Sequence, residues 1–185
     1  MRKVLLTFWE IGEIFLIAFV GVAVIKYFFV QPFIVNGASM EPNFYDGDYL
    51  LVDEISYRFG QPARGDVVVF RSPQDPSTYY IKRIIGLPHE KVEVKDNKIK
   101  IYNQEHPEGF YIQEPYLSNL RNSWSGEAIF SLKDNQYFVM GDNRANSLDS
   151  RYWGPLNKEA IVGLVRLRLW PITNVKLFER VSYNF

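Results

Sequence analysis

The 185 residues contain no cysteine and only two histidines, His89 and His106. Without thiols there can be no disulfide framework, no thiolate zinc site and no cysteine nucleophile. Two histidines leave little for a metal centre, and the HExxH signature of zinc proteases is absent, so no metal or cofactor is expected. An excess of charge of one sign is also lacking, because 21 Lys plus Arg balance 21 Asp plus Glu. Nucleic-acid binders ordinarily carry a basic surplus, so no nucleic-acid partner is expected. Glycine (12) and proline (10) are close to ordinary usage, and no low-complexity linker or internal repeat stands out. What is plentiful is apolar surface: 47% of the chain is hydrophobic and 16% aromatic, which excludes a disordered polypeptide.

Much of that surface lies near the N-terminus. From Ile14 to Ile25 every residue is apolar or glycine, and from Phe8 to Val30 only Glu10, Glu13 and Lys26 interrupt the run. As a helix it would rise 1.5 Å per residue and cross a hydrocarbon core of roughly 30 Å. The run is apolar on every face, unlike an amphipathic core helix. It therefore predicts a transmembrane anchor over 8–30, a cytoplasmic tail over 1–7 and an extracytoplasmic domain over 31–185. Orientation follows from the basic residues: Arg2 and Lys3 precede the run, whereas 31–57 contain only acids, namely Glu41, Asp46, Asp48, Asp53 and Glu54. A cleaved leader is the alternative, with Gly21 and Ala23 as its small residues. The apolar run continues to Val30, beyond the 7–15 residues or so of a leader's apolar region, and this favours an uncleaved anchor.

Past residue 31 the dominant period is two. Asp48–Val52, Asp66–Phe70, Tyr79–Ile85, Lys91–Lys95, Lys98–Tyr102, Gln136–Met140 and Ile161–Trp170 read as strands. Turn signals separate them, and Asp96-Asn97 between two alternating runs predicts a hairpin. Residues 103–135 are more polar and irregular and read as an insertion or a peripheral hairpin. The fold class expected is mainly β, behind a single N-terminal transmembrane helix.

Catalytic chemistry narrows by elimination. The G-x-S-x-G elbow is missing, as are the S-x-x-K and K-T-G signatures, and neither histidine sits in a promising context. A hydrolase built from this chain needs another base. Lysine serves when burial lowers its pKa from about 10.4 to roughly 7–8. Lys82 qualifies because, on a strand, it shares a face with Tyr80 and Ile84. Read from the residues alone, the commoner case for such a lysine is a solvated edge residue. Ser39, in Asn36-Gly37-Ala38-Ser39-Met40-Glu41-Pro42, is the nucleophile candidate, although a plain turn serine is the commoner case for any one serine.

Taken together, the motifs carry a resemblance. Gly37-Ala38-Ser39-Met40-Glu41-Pro42 resembles the serine box of bacterial type I signal peptidases, and Asp46-Gly47-Asp48-Tyr49-Leu50-Leu51-Val52 resembles the next box. Arg64-Gly65-Asp66-Val67-Val68-Val69-Phe70 and Tyr80-Ile81-Lys82-Arg83-Ile84-Ile85-Gly86-Leu87-Pro88 are similar to the lysine region. Gly141-Asp142-Asn143-Arg144-Ala145-Asn146-Ser147-Leu148-Asp149-Ser150-Arg151-Tyr152-Trp153-Gly154 is similar to the last box. The order and spacing agree along essentially the whole chain.

The resemblance implies a signal-peptidase-like coiled β-sheet, barrel-like in form, carrying a Ser/Lys dyad. Ser39 would be the nucleophile and Lys82 the general base. Ser147 would orient the lysine amine, and Asp149 and Arg151 would pair to hold that loop with Arg83 nearby. The Ser39 backbone N–H would bind the oxyanion, with the Gly37 region as the second contributor, where some relatives carry a hydroxyl. Val35, Met40, Phe44, Leu50, Tyr80 and Ile81 match positions lining pockets that admit small residues at −1 and −3 of a preprotein signal peptide. The resemblance also implies a single-pass protein of the bacterial cytoplasmic membrane, a monomer near the secretion translocon, with signal peptides and the bilayer as partners. Departures from the family pattern are Asn43 for Thr, Phe44 for Leu, and His89-Glu90 for Gly-Asp. Two other readings stay open. A self-cleaving Ser/Lys repressor-type peptidase would need a DNA-binding module where residues 1–35 are apolar. An inactive anchored β-domain would have no need of Ser39, Lys82 and Ser147 together.

Overall fold

In the computed structural model of the protein, residues 9–21, 30–117 and 124–179 are described. Every period-two run forms a strand. In chain order the first six are β1 (Val30–Ile34), β2 (Tyr49–Asp53), β3 (Val67–Arg71), β4 (Tyr79–Gly86), β5 (Lys91–Lys95) and β6 (Lys98–Tyr102). They are followed by β7 (Phe110–Tyr111), β8 (Glu127–Ser131), β9 (Gln136–Met140), β10 (Leu156–Asn157), β11 (Ile161–Trp170) and β12 (Lys176–Leu177). The large sheet runs β1-β2-β11-β3-β4-β9-β10, with β12 also paired to β11, and the small sheet runs β7-β6-β5-β8. Neighbours are antiparallel throughout.

The alternation of β3 and β4 explains why both read as nearly continuous apolar runs. Val67 and Val69 enter one core with Val35, Met40, Phe44, Leu50, Val52 and Val165. Val68 and Phe70 enter another with Ile84, Tyr137, Val139 and Leu156. A strand covered on both faces has no polar phase. At the end of β4 consecutive residues part: Ile84 faces that second core, while Ile85 joins the core under the small sheet with Val92, Val94, Ile99 and Ile101.

The small sheet is built on the hairpin expected around Asp96-Asn97, whose φ angles of 49° and 61° give the doubly left-handed turn that suits a two-residue connection. Residues 103–135 supply its flanking strands. β7 pairs with β6 and β8 with β5, so the two lie on opposite sides of the hairpin and do not pair with each other. β8 does alternate, with Ala128 buried, but its outward face carries an exposed Ile129, which blurs the polar phase. At the turn before β5, His89 takes a left-handed φ of 67°, which histidine tolerates better than most residues. Glu90 beside it is buried and accepts from Arg64 Nη2 at 2.6 Å and from the Leu87 N–H at 2.8 Å.

Residues 9–21 form a helix, α1, exposed along its length. Among the described residues no helix is long and apolar enough to cross a membrane. Of the expected tail and span, residues 1–8 and 22–29 lie outside the described residues.

β11 lies tightly against its sheet neighbour β2. A Cβ on Gly163 would sit 2.6 Å from the Asp53 carbonyl oxygen and 2.8 Å from Val52 Cγ1. Since one of these obstacles is backbone, Gly163→Ala is expected to destabilise the fold by about 1–3 kcal/mol. Thermal unfolding would show this as a Tm drop of roughly 2–4 °C per kcal/mol. An unchanged Tm would mean that the two strands can separate freely.

Candidate active site

The chain leaving β1 stays in register for one more residue, with Val35 N–H donating to Asp48 O and Gly47 N–H to Val35 O, both at 2.9 Å. Gly37 then takes φ 87° and donates its N–H to Asp46 Oδ1 at 2.7 Å. The following residues coil into a turn in which Phe44 N–H donates to Met40 O at 3.0 Å. Met40 and Phe44, four apart, drop together into the core and are fully buried. They therefore root the turn that carries Ser39. Asp48 and Arg168, both buried, brace the same turn: Arg168 donates Nη1 to Asp48 Oδ2 at 2.8 Å and Nη2 to Asn43 O at 3.0 Å.

Lys82 arrives from β4. It is only 4% exposed, and its Nζ donates to Ser39 Oγ at 2.7 Å and to Ile81 O at 2.8 Å. Burial pushes its pKa down to about 8, against the pull of Asp149 and then Asp142, with Arg151 adding to the depression. The carboxylates do not reverse the shift because each is already matched by an arginine. Arg83 donates Nε and Nη2 to the two oxygens of Asp142 at 2.8 and 2.6 Å, and Arg151 grips Asp149 the same way at 2.8 and 2.7 Å. Such paired, charge-assisted contacts are strong and directional.

The loop after β9 closes the site from above. Gly141 N–H donates to Asp149 Oδ2 at 3.0 Å. Asn143 donates its backbone N–H to Ser39 O and its side-chain Nδ2 to Ala38 O, each at 3.0 Å. Asn43 Nδ2 donates to Asp142 Oδ2 at 2.9 Å. The serine turn and this loop are thus laced together. Ser147 comes close, but its Oγ is buried and has no hydrogen-bond partner among the described residues, Lys82 included.

In front of Ser39 and Lys82 lies a groove of about 200 Å³, lined by Val35, Leu50, Tyr80 and Ile81 together with Phe33, Ile34, Tyr79 and Leu148. Met40 and Phe44, read from the sequence as pocket residues, do not line it and belong to the core behind. Gly37 offers no free N–H to the groove, since Asp46 takes it. Arg83 lies against Asp142 rather than the Asp149–Arg151 pair. Asp142, Asn143 and Gly141 were not singled out by sequence reasoning, although the last motif contains all three.

Comparison with known proteins settles the kinship. The model of the signal peptidase family, peptidase S26, matches residues 8–170. The chain belongs to that family. It is 34% identical over 197 residues to signal peptidase IB of Staphylococcus aureus (strain MRSA252), covering 100% of this chain and 96% of the relative. It is 38% identical over 143 residues to signal peptidase I V of Bacillus subtilis (strain 168), covering 71% of this chain and 80% of the relative. A signal peptidase I structure from Enterococcus faecalis aligns with a TM-score of 0.47 at 29% identity, over 56% of this chain and 96% of that one. As a member of the signal peptidase family, the chain is a serine endopeptidase.

Gly141 is where the site is tightest. A Cβ there would collide with Ser147 Oγ and with the Ser39 carbonyl oxygen, and would stand 2.6 Å from Ser147 Cβ. Gly141→Ala is therefore expected to push the loop off the serine turn. Peptide cleavage should fall by roughly 100-fold, the scale on which a displacement of about 1 Å acts. Normal cleavage by this variant would show that the loop's closeness to Ser39 is not required.

Proposed function

We propose that this protein is a membrane-anchored signal peptidase. It cuts exported preproteins after small residues, with Ser39 as nucleophile and Lys82 as general base. The observation that carries the reading is the 2.7 Å contact between Lys82 Nζ and Ser39 Oγ inside a buried site whose amine has a pKa of about 8. A neutral amine at that distance accepts the serine proton as Oγ attacks the scissile carbonyl. The same amine, once protonated, can deliver that proton to the leaving nitrogen. After deprotonation it can activate the water that hydrolyses the ester. The Ser39 N–H would hold the oxyanion in this scheme. The arginines that pair with Asp142 and Asp149 offset these carboxylates, whose pull would otherwise favour a protonated amine.

Sheet topology supports a binding mode. β9 pairs with β4 from Arg83 onward, so among the described residues Tyr79–Lys82 present an unpaired edge towards the groove. β1 is the terminal strand and presents another. Phe33 meets Tyr79 across the gap, ring centroids 5.3 Å apart. Counting antiparallel neighbours from β1 through β2, β11 and β3 to β4 makes β1 and β4 run in the same direction. An extended peptide can therefore pair with both at once, using main-chain hydrogen bonds. Its alternate side chains would face Val35, Leu50 and Ile81, whose bulk favours small residues by exclusion.

The anchor assignment, residues 8–30 with the tail inside, rests on the apolar run and the charge asymmetry. The exposed apolar residues of α1, among them Trp9, Phe15, Ile17 and Phe19, are consistent with a lipid environment.

Two measurements test the dyad. Ser39→Ala and Lys82→Arg should each reduce preprotein cleavage by at least about 100-fold without loss of fold, because alanine lacks the nucleophile and arginine cannot give up its proton near neutral pH. An active Lys82→Arg protein would refute lysine as the base. In wild type the amine must be unprotonated to act, so kcat/KM should rise with pH and be half-maximal near pH 8, following the Lys82 pKa. A profile flat through that region would contradict the assignment.

A further inference from the structure

The segment between the two outer strands of the small sheet contains a strap, residues 112–117, that has no place in the dyad as described. It is moored at its start. Ile112 N–H donates to Ile99 O at 3.1 Å, and the Ile112 side chain is buried in the core beneath the small sheet. From there the strap reaches both catalytic loops. Glu114 takes both terminal nitrogens of Arg144, Nη1 at 2.8 Å and Nη2 closer still. Arg144 is itself buried, and its Nε donates to Gly141 O at 3.1 Å, while its own carbonyl accepts from Arg151 Nη1 at 2.8 Å. Glu114 thereby fixes the residue that joins Gly141 to the Asp149–Arg151 pair.

Tyr116 completes the grip on the other side. Its ring lies 3.9 Å from the Arg83 guanidinium, on the arginine that holds Asp142. Its backbone carbonyl accepts from Asn43 Nδ2 at 2.9 Å, and the same nitrogen donates to Asp142 Oδ2 at 2.9 Å. A primary amide has two N–H donors and can make both bonds at once, whereas a hydroxyl has one. Asn43 is in the serine turn, four residues from Ser39. Glu114, Tyr116, Arg144 and Asn43 do not line the groove in front of Ser39.

We propose that residues 112–117 form a positioning strap: Glu114 through Arg144, and Tyr116 through Asn43 and Arg83, hold the serine turn and the 141–149 loop in mutual register. The strap therefore governs turnover rather than substrate affinity. This rests on the Ser39–Lys82 reading above. Arg144 would not hold its place alone, because a buried guanidinium stripped of its carboxylate seeks another partner, and the nearest alternative pulls on the groups that frame Lys82. Asp142 already contributes to the field at Arg144.

The test is steady-state cleavage of one signal-sequence peptide by full-length wild type, Ser39→Ala, Glu114→Gln and Asn43→Thr, with the Tm of each. Glu114→Gln keeps the shape and removes the charge. It is expected to lower kcat by roughly 10–100-fold while KM stays within about two-fold. Asn43→Thr, with a single donor, should lower kcat in the same sense. If Glu114→Gln does not fold, Tyr116→Leu replaces it and carries the same expectation, since it removes the ring from Arg83 and the hydroxyl that donates to Glu114 Oε1, and leaves the carbonyl to Asn43. A lowered Tm with unchanged kcat would make the strap merely structural and overturn the proposal, as would a raised KM with unchanged kcat. Wild-type cleavage that is lost in Ser39→Ala but untouched in the strap variants sinks this inference alone. Cleavage that survives Ser39→Ala sinks the dyad reading and this one with it.

Discussion

The site depends on a balance of charge around one buried amine. Lys82 lies close enough to Asp142 and Asp149 to feel both, yet neither forms an ion pair with it, because Arg83 and Arg151 occupy them with paired hydrogen bonds. Desolvation then outweighs the residual attraction, and the amine titrates near 8 rather than near the ordinary lysine value of 10.5. Leaving either carboxylate without its arginine would turn Lys82 into a salt-bridge partner and raise its pKa. The two arginines are thus as much a part of the electrostatic design as the lysine.

The fold delivers that balance by strand parity. On β4, Lys82 and Arg83 must point to opposite faces, so one residue reaches the groove and the next reaches Asp142. A slip of one residue in the pairing of β4 with β3 would exchange them. That register is guarded by Val67–Phe70 and Ile84–Ile85, whose side chains are committed to separate cores. The burial that stabilises the sheet therefore also fixes which cation faces the serine.

Much of this was legible in the sequence. Alternation marked seven of the strands of the two sheets, and the Asp96-Asn97 turn marked the hairpin, because these signals are local. β7, β10 and β12 span two residues each, too few for any period to show, and β8 was blurred by its outward Ile129. In the site, Ser39 and Lys82 could be chosen by elimination and motif, whereas Met40 and Phe44 went to the core, since an apolar residue beside a candidate serine reads the same whether it lines a pocket or roots a turn. Asp142 was invisible as a hub because its partners, Asn43 and Arg83, are distant in sequence and only the fold brings them together.

The two edges left unpaired among the described residues have a consequence for what the groove can receive. An open strand edge is normally a hazard, inviting any other sheet to join it. Here the end strand β1 and the first half of β4 face one another, with Phe33 and Tyr79 in edge-to-face contact where the gap begins. A strand already built into another protein's sheet has at least one edge taken and neighbours too wide for the gap. Only a single chain, bare on both edges, can satisfy the two together. If a substrate pairs with both edges as proposed, the groove discriminates by folding state before any side chain is read: a polypeptide is open to it while extended and closed to it once the segment has folded.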